Sequence, residues 1–227
     1  MLNADTLLER HINARGGLRA ILNIRTLYQR GTVTGRKGSV VEIEGWRMRP
    51  DRLRFQFGTS ESVAIESWDG RHGWAYVPLK SPQPFYIDDT TLEGLRYGAE
   101  FDGPLVQDRQ KGHRIESLGE CVAAGLPVYG LRVILHDGSI VDHFLHKESY
   151  MVAMTEAMRP VHVKNPVMTV TQYTDYRLVS GVMFPHYWVE TADGGLHHET
   201  FAWREVIANP PLDIGFFAMP PVVPSDN

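Results

Sequence analysis

Period-two alternation of apolar and polar residues, in short runs broken by turn signals, constrains this chain more than any other feature. Leu53, Phe55 and Phe57 alternate with Arg52, Arg54 and Gln56. That is the pattern of a strand with one buried face, because successive side chains of a strand point to opposite sides. Tyr129, Leu131, Val133 and Leu135 repeat it, and His136-Asp137-Gly138-Ser139 turns the chain into a strand over Ile140–His146. Further strands are expected over Val40–Met48, Met151–Met158, Val167–Arg177, Phe184–Thr191 and Leu196–Val206. Asp69-Gly70 separates a strand ending at Trp68 from one carrying Trp74 and Tyr76, and Asp193-Gly194-Gly195 joins the last two strands. The tally is about 10-11 strands. Hairpin follows hairpin with no strand–helix–strand alternation, so the sheet is antiparallel and the fold class is mainly β, within α+β. A sheet this wide curls or closes.

Two helices interrupt the strands. Thr6-Leu7-Leu8-Glu9 fits a capping box, Leu8 and Ile12 share a face, and Gly16-Gly17 is a stop followed by a turn or two more, which gives a helical region over 5–22. Thr90-Thr91-Leu92-Glu93 is a second capping box, with Leu92, Leu95 and Ala99 as the apolar stripe and Gly103-Pro104 as the stop, which gives a helix over 90–101. The inside of a curled sheet is the natural seat for both. The tail, 209–227, is Pro-rich and expected to be extended. The 227 residues are taken as one domain, since the chain shows no repeat, low-complexity tract or linker.

Composition removes several function classes. Hydrophobic residues make up 43% and charged residues 22%, which excludes general disorder. A net charge of −4 argues against nucleic acid as a partner. No apolar run is long enough for a transmembrane helix. Cys121 is the single cysteine, so neither an internal disulfide nor a cysteine zinc cluster can form. The start, Met1-Leu2-Asn3-Ala4-Asp5, has no basic and apolar leader pattern, which fits either a cytoplasmic protein or one whose leader has been removed.

Catalytic signatures are absent. The nucleophile elbow, the P-loop, the dinucleotide fingerprint, the zincin motif and C-x-x-C do not occur, so no catalytic residue, cofactor or metal site is assigned. Of the ten histidines, His143 and His146 sit three apart on a strand and His197-His198 are adjacent, so each pair points to opposite faces and cannot share an ion. Asp88-Asp89, ahead of a capping box, reads as favourable charge at a helix N-terminus. The aromatics say more. Trp46, Phe55, Phe57, Trp74 and Tyr76, with Met48, are expected to form one large apolar face, and Met151, Met154 and Met158 add adaptable side chains. Such a face is either a core sealed by the helices or the lining of a cavity for an apolar ligand.

Five stretches in order resemble the LolA/LolB-like outer-membrane lipoprotein-sorting superfamily. They are Trp46-Arg47-Met48-Arg49-Pro50 leading into the Phe55 strand, Trp68-Asp69-Gly70 leading to Trp74, and Gly103-Pro104-Leu105 followed by Lys111-Gly112. The others are Tyr173-Thr174-Asp175-Tyr176-Arg177 with Gly181-Val182-Met183-Phe184-Pro185, and Asn209-Pro210-Pro211-Leu212-Asp213 through Phe217 to Pro220. His146-Lys147-Glu148 departs from the pattern, where relatives usually carry an Asp. The resemblance implies an unclosed antiparallel β-barrel around short lid helices, a periplasmic location, a signal peptide in the full gene product and no enzymatic activity. It implies an apolar cavity for acyl chains, here Trp46, Met48, Phe55, Phe57, Trp74, Tyr76, Leu92 and Leu95, with Arg49 as the latch that holds the lid. The partners implied are a lipid or lipidated protein and the inner- or outer-membrane lipoprotein machinery. Read from the residues alone, Arg49 equally marks a turn at Pro50, and the chain equally fits a small-molecule-binding or interaction module with a filled core, or, with less support, a metal-dependent enzyme.

Overall fold

A computed structural model describes residues 2–59, 62–87, 89–159 and 166–221. In chain order the elements are α1 (Ala4–Ala14), α2 (Leu18–Asn23), β1 (Thr26–Gly35), β2 (Val40–Met48), β3 (Arg52–Thr59), β4 (Ser62–Trp68), β5 (Gly73–Tyr76) and β6 (Phe85–Tyr86). There follow α3 (Asp89–Ala99), β7 (Arg114–Ala123), β8 (Leu126–Ile134), β9 (Ile140–His146), β10 (Val152–Arg159), β11 (Val167–Val179), β12 (Val182–Ala192) and β13 (His197–Ala208). Short 3-10 turns cover Asp193–Gly195 and Ile214–Phe217. Backbone pairing links the strands into one antiparallel sheet in the order β6-β5-β4-β3-β2-β1-β13-β12-β11-β10-β9-β8-β7. The sheet is open, as expected, with β6 and β7 at its two edges. It has 13 strands rather than ten or eleven. The two missed are β6, too short to show a period, and β7, whose alternation is broken by a register shift between Ser117 and Gly119.

The chain forms two compact units. The first holds residues 1–24, 34–39 and 102–202. Its core is built where α1 lies on β8 and β9: Leu7 and Leu8 pack with Leu105, Leu131, Val133 and Leu145. The helix starts earlier than the Thr6–Glu9 box, because the Asn3 side chain accepts from the Thr6 amide at 2.8 Å and caps it. It ends where expected. Gly16 has φ +118°, and a Cβ there would stand 2.0 Å from the Gly181 carbonyl oxygen, so only glycine lets α1 hand over to α2 beside the β11–β12 turn.

The second unit holds residues 25–33, 40–101 and 203–227. It includes most of β1, all of β2–β6 and the end of β13, and α3 is seated on one side of β3 and β4. The helix begins at Asp89 and stops at Ala99, before Gly103. Asp88 and the side chains of Asp89, Thr90 and Thr91 lie outside the described residues, and with them the expected capping box and carboxylate pair. The tail is not simply extended. Asp213 accepts from the Gly215 amide at 2.7 Å and starts the 3-10 turn, which buries Phe217 completely. Asn209 anchors the segment to β1: its side chain accepts from the Arg25 amide at 2.7 Å, and its own amide donates to the Thr26 carbonyl at 2.9 Å.

Candidate ligand-binding site

The expected aromatic face divides in two. In the β2–β3 hairpin Met48 pairs with Arg52, Trp46 with Arg54, Gly45 with Phe55 and Ile43 with Phe57. Directly paired residues share a face. Phe55 and Phe57 therefore stand with Ile43 and Leu53, whereas Trp46 and Met48 stand with Arg52 and Arg54. The β3–β5 register continues the division: Leu53 pairs with Trp68, while Ser67 pairs with Trp74 and Ile65 with Tyr76. Of the eight expected cavity residues, Phe55, Phe57, Leu92 and Leu95 belong to the α3 side, and Trp46, Met48, Trp74 and Tyr76 to the other. The reason is a parity rule: a strand slipped by one residue turns every side chain to the opposite face.

On the first face α3 sits over Leu53, Trp68 and Phe55, with Leu95 and Ala99 buried and Leu92 and Ile87 packed at the margin. Glycine allows the close approach. A Cβ at Gly73 would stand 2.5 Å from Leu92 Cδ1, and one at Gly98 3.3 Å from Leu53 Cδ2. The helix itself is weak. It has 11 residues and contains Gly94 and Gly98, each costing about 1 kcal/mol against alanine, and helices this short are marginal in water on their own. Its apolar seat on the sheet therefore supplies much of its stability. Arg96 adds a guanidinium 5.6 Å from the Trp68 ring centre. Arg49, the expected latch, lies just after β2 with its guanidinium 4.6 Å from the ring centre of Phe101, two residues beyond the end of α3. Its amide donates to the Arg25 carbonyl at 3.0 Å.

On the opposite face the tail covers Trp74. The Phe217 carbonyl accepts from Trp74 Nε1 at 2.8 Å and from Ser67 Oγ at 2.9 Å. Phe216 meets Trp46 edge-on at 5.2 Å between ring centres. Neither Phe216 nor Phe217 is among the expected site residues. Their signal is the Asn209–Phe217 stretch itself, whose Asn caps β1 and whose Asp starts the turn. A cleft of about 580 Å³ opens beside this cover, lined by Arg54, Ile65, Trp74, Tyr76, Phe216 and Met219 among others. Two of the expected cavity residues thus line a cleft on the face away from α3.

The histidines of the first unit fall as their spacing requires. His143 pairs with Leu131 and His146 with Val128, on opposite faces. His11, on α1, and His143 are both buried. His11 Nδ1 donates to the Tyr150 carbonyl at 2.8 Å, and His143 Nδ1 to the Val141 carbonyl at 3.4 Å. Burial pulls their pKa values down to about 3 and about 4, helped by Arg15 beside His11 and Arg159 near His143, so both rings are neutral at pH 7. His197 lies 3.8 Å from both Glu190 and Glu199. Among the described residues no group of three His, Cys, Asp or Glu side chains is placed to hold a metal ion, and no helix is long and apolar enough to cross a membrane.

No protein-family model and no curated protein matches the sequence. Solved structures do share the fold across nearly the whole chain. An outer membrane lipoprotein-sorting protein domain from Vibrio parahaemolyticus is 13% identical with a TM-score of 0.60, over 93% of this chain and 94% of that one. A LolA superfamily protein from Nitrosomonas europaea is 14% identical with a TM-score of 0.62, over 96% and 98%. A DUF1329 family protein from Desulfovibrio piger is 10% identical with a TM-score of 0.66, over 94% and 96%. The chain has a LolA-like fold, as the five sequence stretches imply.

Proposed function

We propose that this LolA-like chain binds the acyl chains of a lipid or lipoprotein in the periplasm and passes them on, as a carrier rather than an enzyme. The observation that supports this reading is the α3 seat: an intrinsically weak helix laid on Leu53, Phe55 and Trp68. An acyl chain gains roughly 0.8 kcal/mol for each CH₂ moved from water into an apolar site, so a permanently open hydrophobic wall would hold several chains too tightly to release. A cover that occupies the wall in the empty state offsets part of that gain. Ligand contacts then replace those of Leu92 and Leu95, and net affinity is the difference between the two sets. In this scheme Arg49 holds the segment after α3 through Phe101, a contact of about 0.5–2 kcal/mol. Arg49→Leu loosens the closed state and slows release.

Locking α3 tests the proposal. In a Cys121→Ser background, Leu53→Cys and Gly98→Cys place thiols across the helix–sheet contact for a short thiol-reactive crosslinker, a bis-electrophile with a cleavable disulfide between its two ends. Uptake of a dansylated fatty acid, read by fluorescence, is expected before linking, lost after it, and recovered when a reducible linker is cleaved. Leu53 is 1% and Ala99 0% exposed, a dry contact that also suits a module whose core is permanently filled. That second reading predicts no uptake in any state of the linker.

A further inference from the structure

We infer that the cleft on the β3–β5 face away from α3 binds a small organic monoanion, a carboxylate carried on a flat apolar body. Arg54 is the reason. Several arginines elsewhere on the sheet meet carboxylates: Arg132 pairs with Asp142 at 2.7 Å and Arg177 with Asp175 at 2.6 Å. Among the described residues Arg54 has no carboxylate partner, although its guanidinium is drawn out of water. Its Nη1 donates to the Phe216 carbonyl at 2.8 Å. With the Gln56 amide turned so that its oxygen faces the guanidinium, that oxygen accepts from Nη2 at 2.9 Å and from Nε at 3.2 Å. Both acceptors are neutral. They use three of the five N–H groups and leave one on each terminal nitrogen. A carboxylate can accept from such a pair, and charge-assisted bonds of this kind are about twice as strong as neutral ones.

The cation is also held in place. Its centre lies 4.4 Å from the Phe216 ring centre and 5.5 Å from that of Trp74. Phe216 is positioned by the Asp213-capped turn, and the Trp74 indole by the Phe217 carbonyl. Burial lowers the guanidinium pKa, yet arginine remains charged at pH 7. The rest of the wall is mainly apolar, with Ile65, Met219, the Tyr76 ring and the rings of Pro82 and Pro84. At about 580 Å³ the cleft is in the size range of small-molecule sites, which combine an apolar lining with a few placed polar groups. One oriented positive charge among rings selects a single negative charge on a planar apolar frame.

Naphthalene-2-carboxylate is the probe, titrated by calorimetry against its neutral isostere naphthalene-2-carboxamide. The expected result is binding of the carboxylate at least tenfold tighter than the amide. Arg54→Met removes that preference. Ile65→Trp fills the cleft without touching the Arg54 bonds and abolishes binding of both compounds, which keeps the test informative if the Arg54 variant fails to fold. Equal affinity for carboxylate and amide overturns the inference, as does carboxylate binding unchanged in folded Ile65→Trp. Protein with α3 linked to β3 retains carboxylate binding, so this site and the acyl-chain reading stand or fall separately.

Discussion

The two 11-residue helices, α1 and α3, lie on apolar patches of comparable make-up but are fastened differently. Around α1 the directional bonds are many. Asn3 caps its start, His11 donates to the Tyr150 carbonyl, Arg10 bonds the Tyr150 hydroxyl, and the Arg15 carbonyl accepts from the Met183 amide. Arg15 also reaches the Asp102 carbonyl. The α3 seat rests on Leu92, Leu95 and Ala99, in a helix weakened by two glycines. The lesson concerns reversibility. Apolar contacts can be exchanged for a ligand's hydrocarbon at little net cost, whereas a buried hydrogen bond that is broken leaves polar groups unpaired at about 1–3 kcal/mol each. On the carrier reading proposed above, α3 is the helix suited to be the removable cover, and α1 stays with its unit.

Acid should break the fastening of α1 most strongly. His11 and His143 have folded pKa values below the unfolded value of 6.5, so the unfolded chain binds more protons and stability is lost as the pH is lowered. The loss begins near pH 6.5 and continues to about 4 for His143 and about 3 for His11. By pH 4.5 it amounts to on the order of 2–3 kcal/mol from each ring. Urea midpoints at pH 7 and 4.5 should show this drop, with His143→Gln removing one share, and hydrogen exchange should show α1 amides losing protection before those of α3.

Truncation of the two apolar anchors comes next. Leu7→Ala, at a fully buried site, should cost about 4 kcal/mol in urea unfolding, and Leu95→Ala about 2 kcal/mol. Only the second should also tighten uptake of the dansylated fatty acid, because it weakens the cover. Tightened uptake in Leu7→Ala would make α1 the mobile helix instead. The smallest effect is a gain. A Cβ at Gly94 meets nothing within 4 Å, so Gly94→Ala should stabilise α3 by about 0.5–1 kcal/mol, seen as slower exchange confined to that helix.

The opposite side of β3–β5 adds a third case. There the Phe217 carbonyl receives both Trp74 and Ser67, so the tail is fixed by the same directional logic as α1. Much of this was legible beforehand. The Leu53–Phe57 alternation, the turns at Asp69-Gly70 and Asp193–Gly195, the Gly16-Gly17 break and the helix over Leu92–Ala99 are local signals, readable because backbone preference and side-chain period act within a few residues. The Asn209–Phe217 stretch was visible as a pattern but not as a cover, since its partners, Trp74 and Ser67, are 143 and 150 residues away in sequence.

By itself, then, the sequence determined that these segments are strands, that they pair antiparallel, and that large aromatic side chains project from β2, β3 and β5. Only the tertiary structure decided which of those side chains share a face. The β2–β3 turn places Met48 opposite Arg52 and so sets Trp46 beside Arg54, away from Phe55. One residue more or fewer in that turn would reverse the parity. Cross-strand register, which alternation alone does not specify, therefore divided one expected cavity into a helix-covered apolar seat and an arginine-bearing cleft.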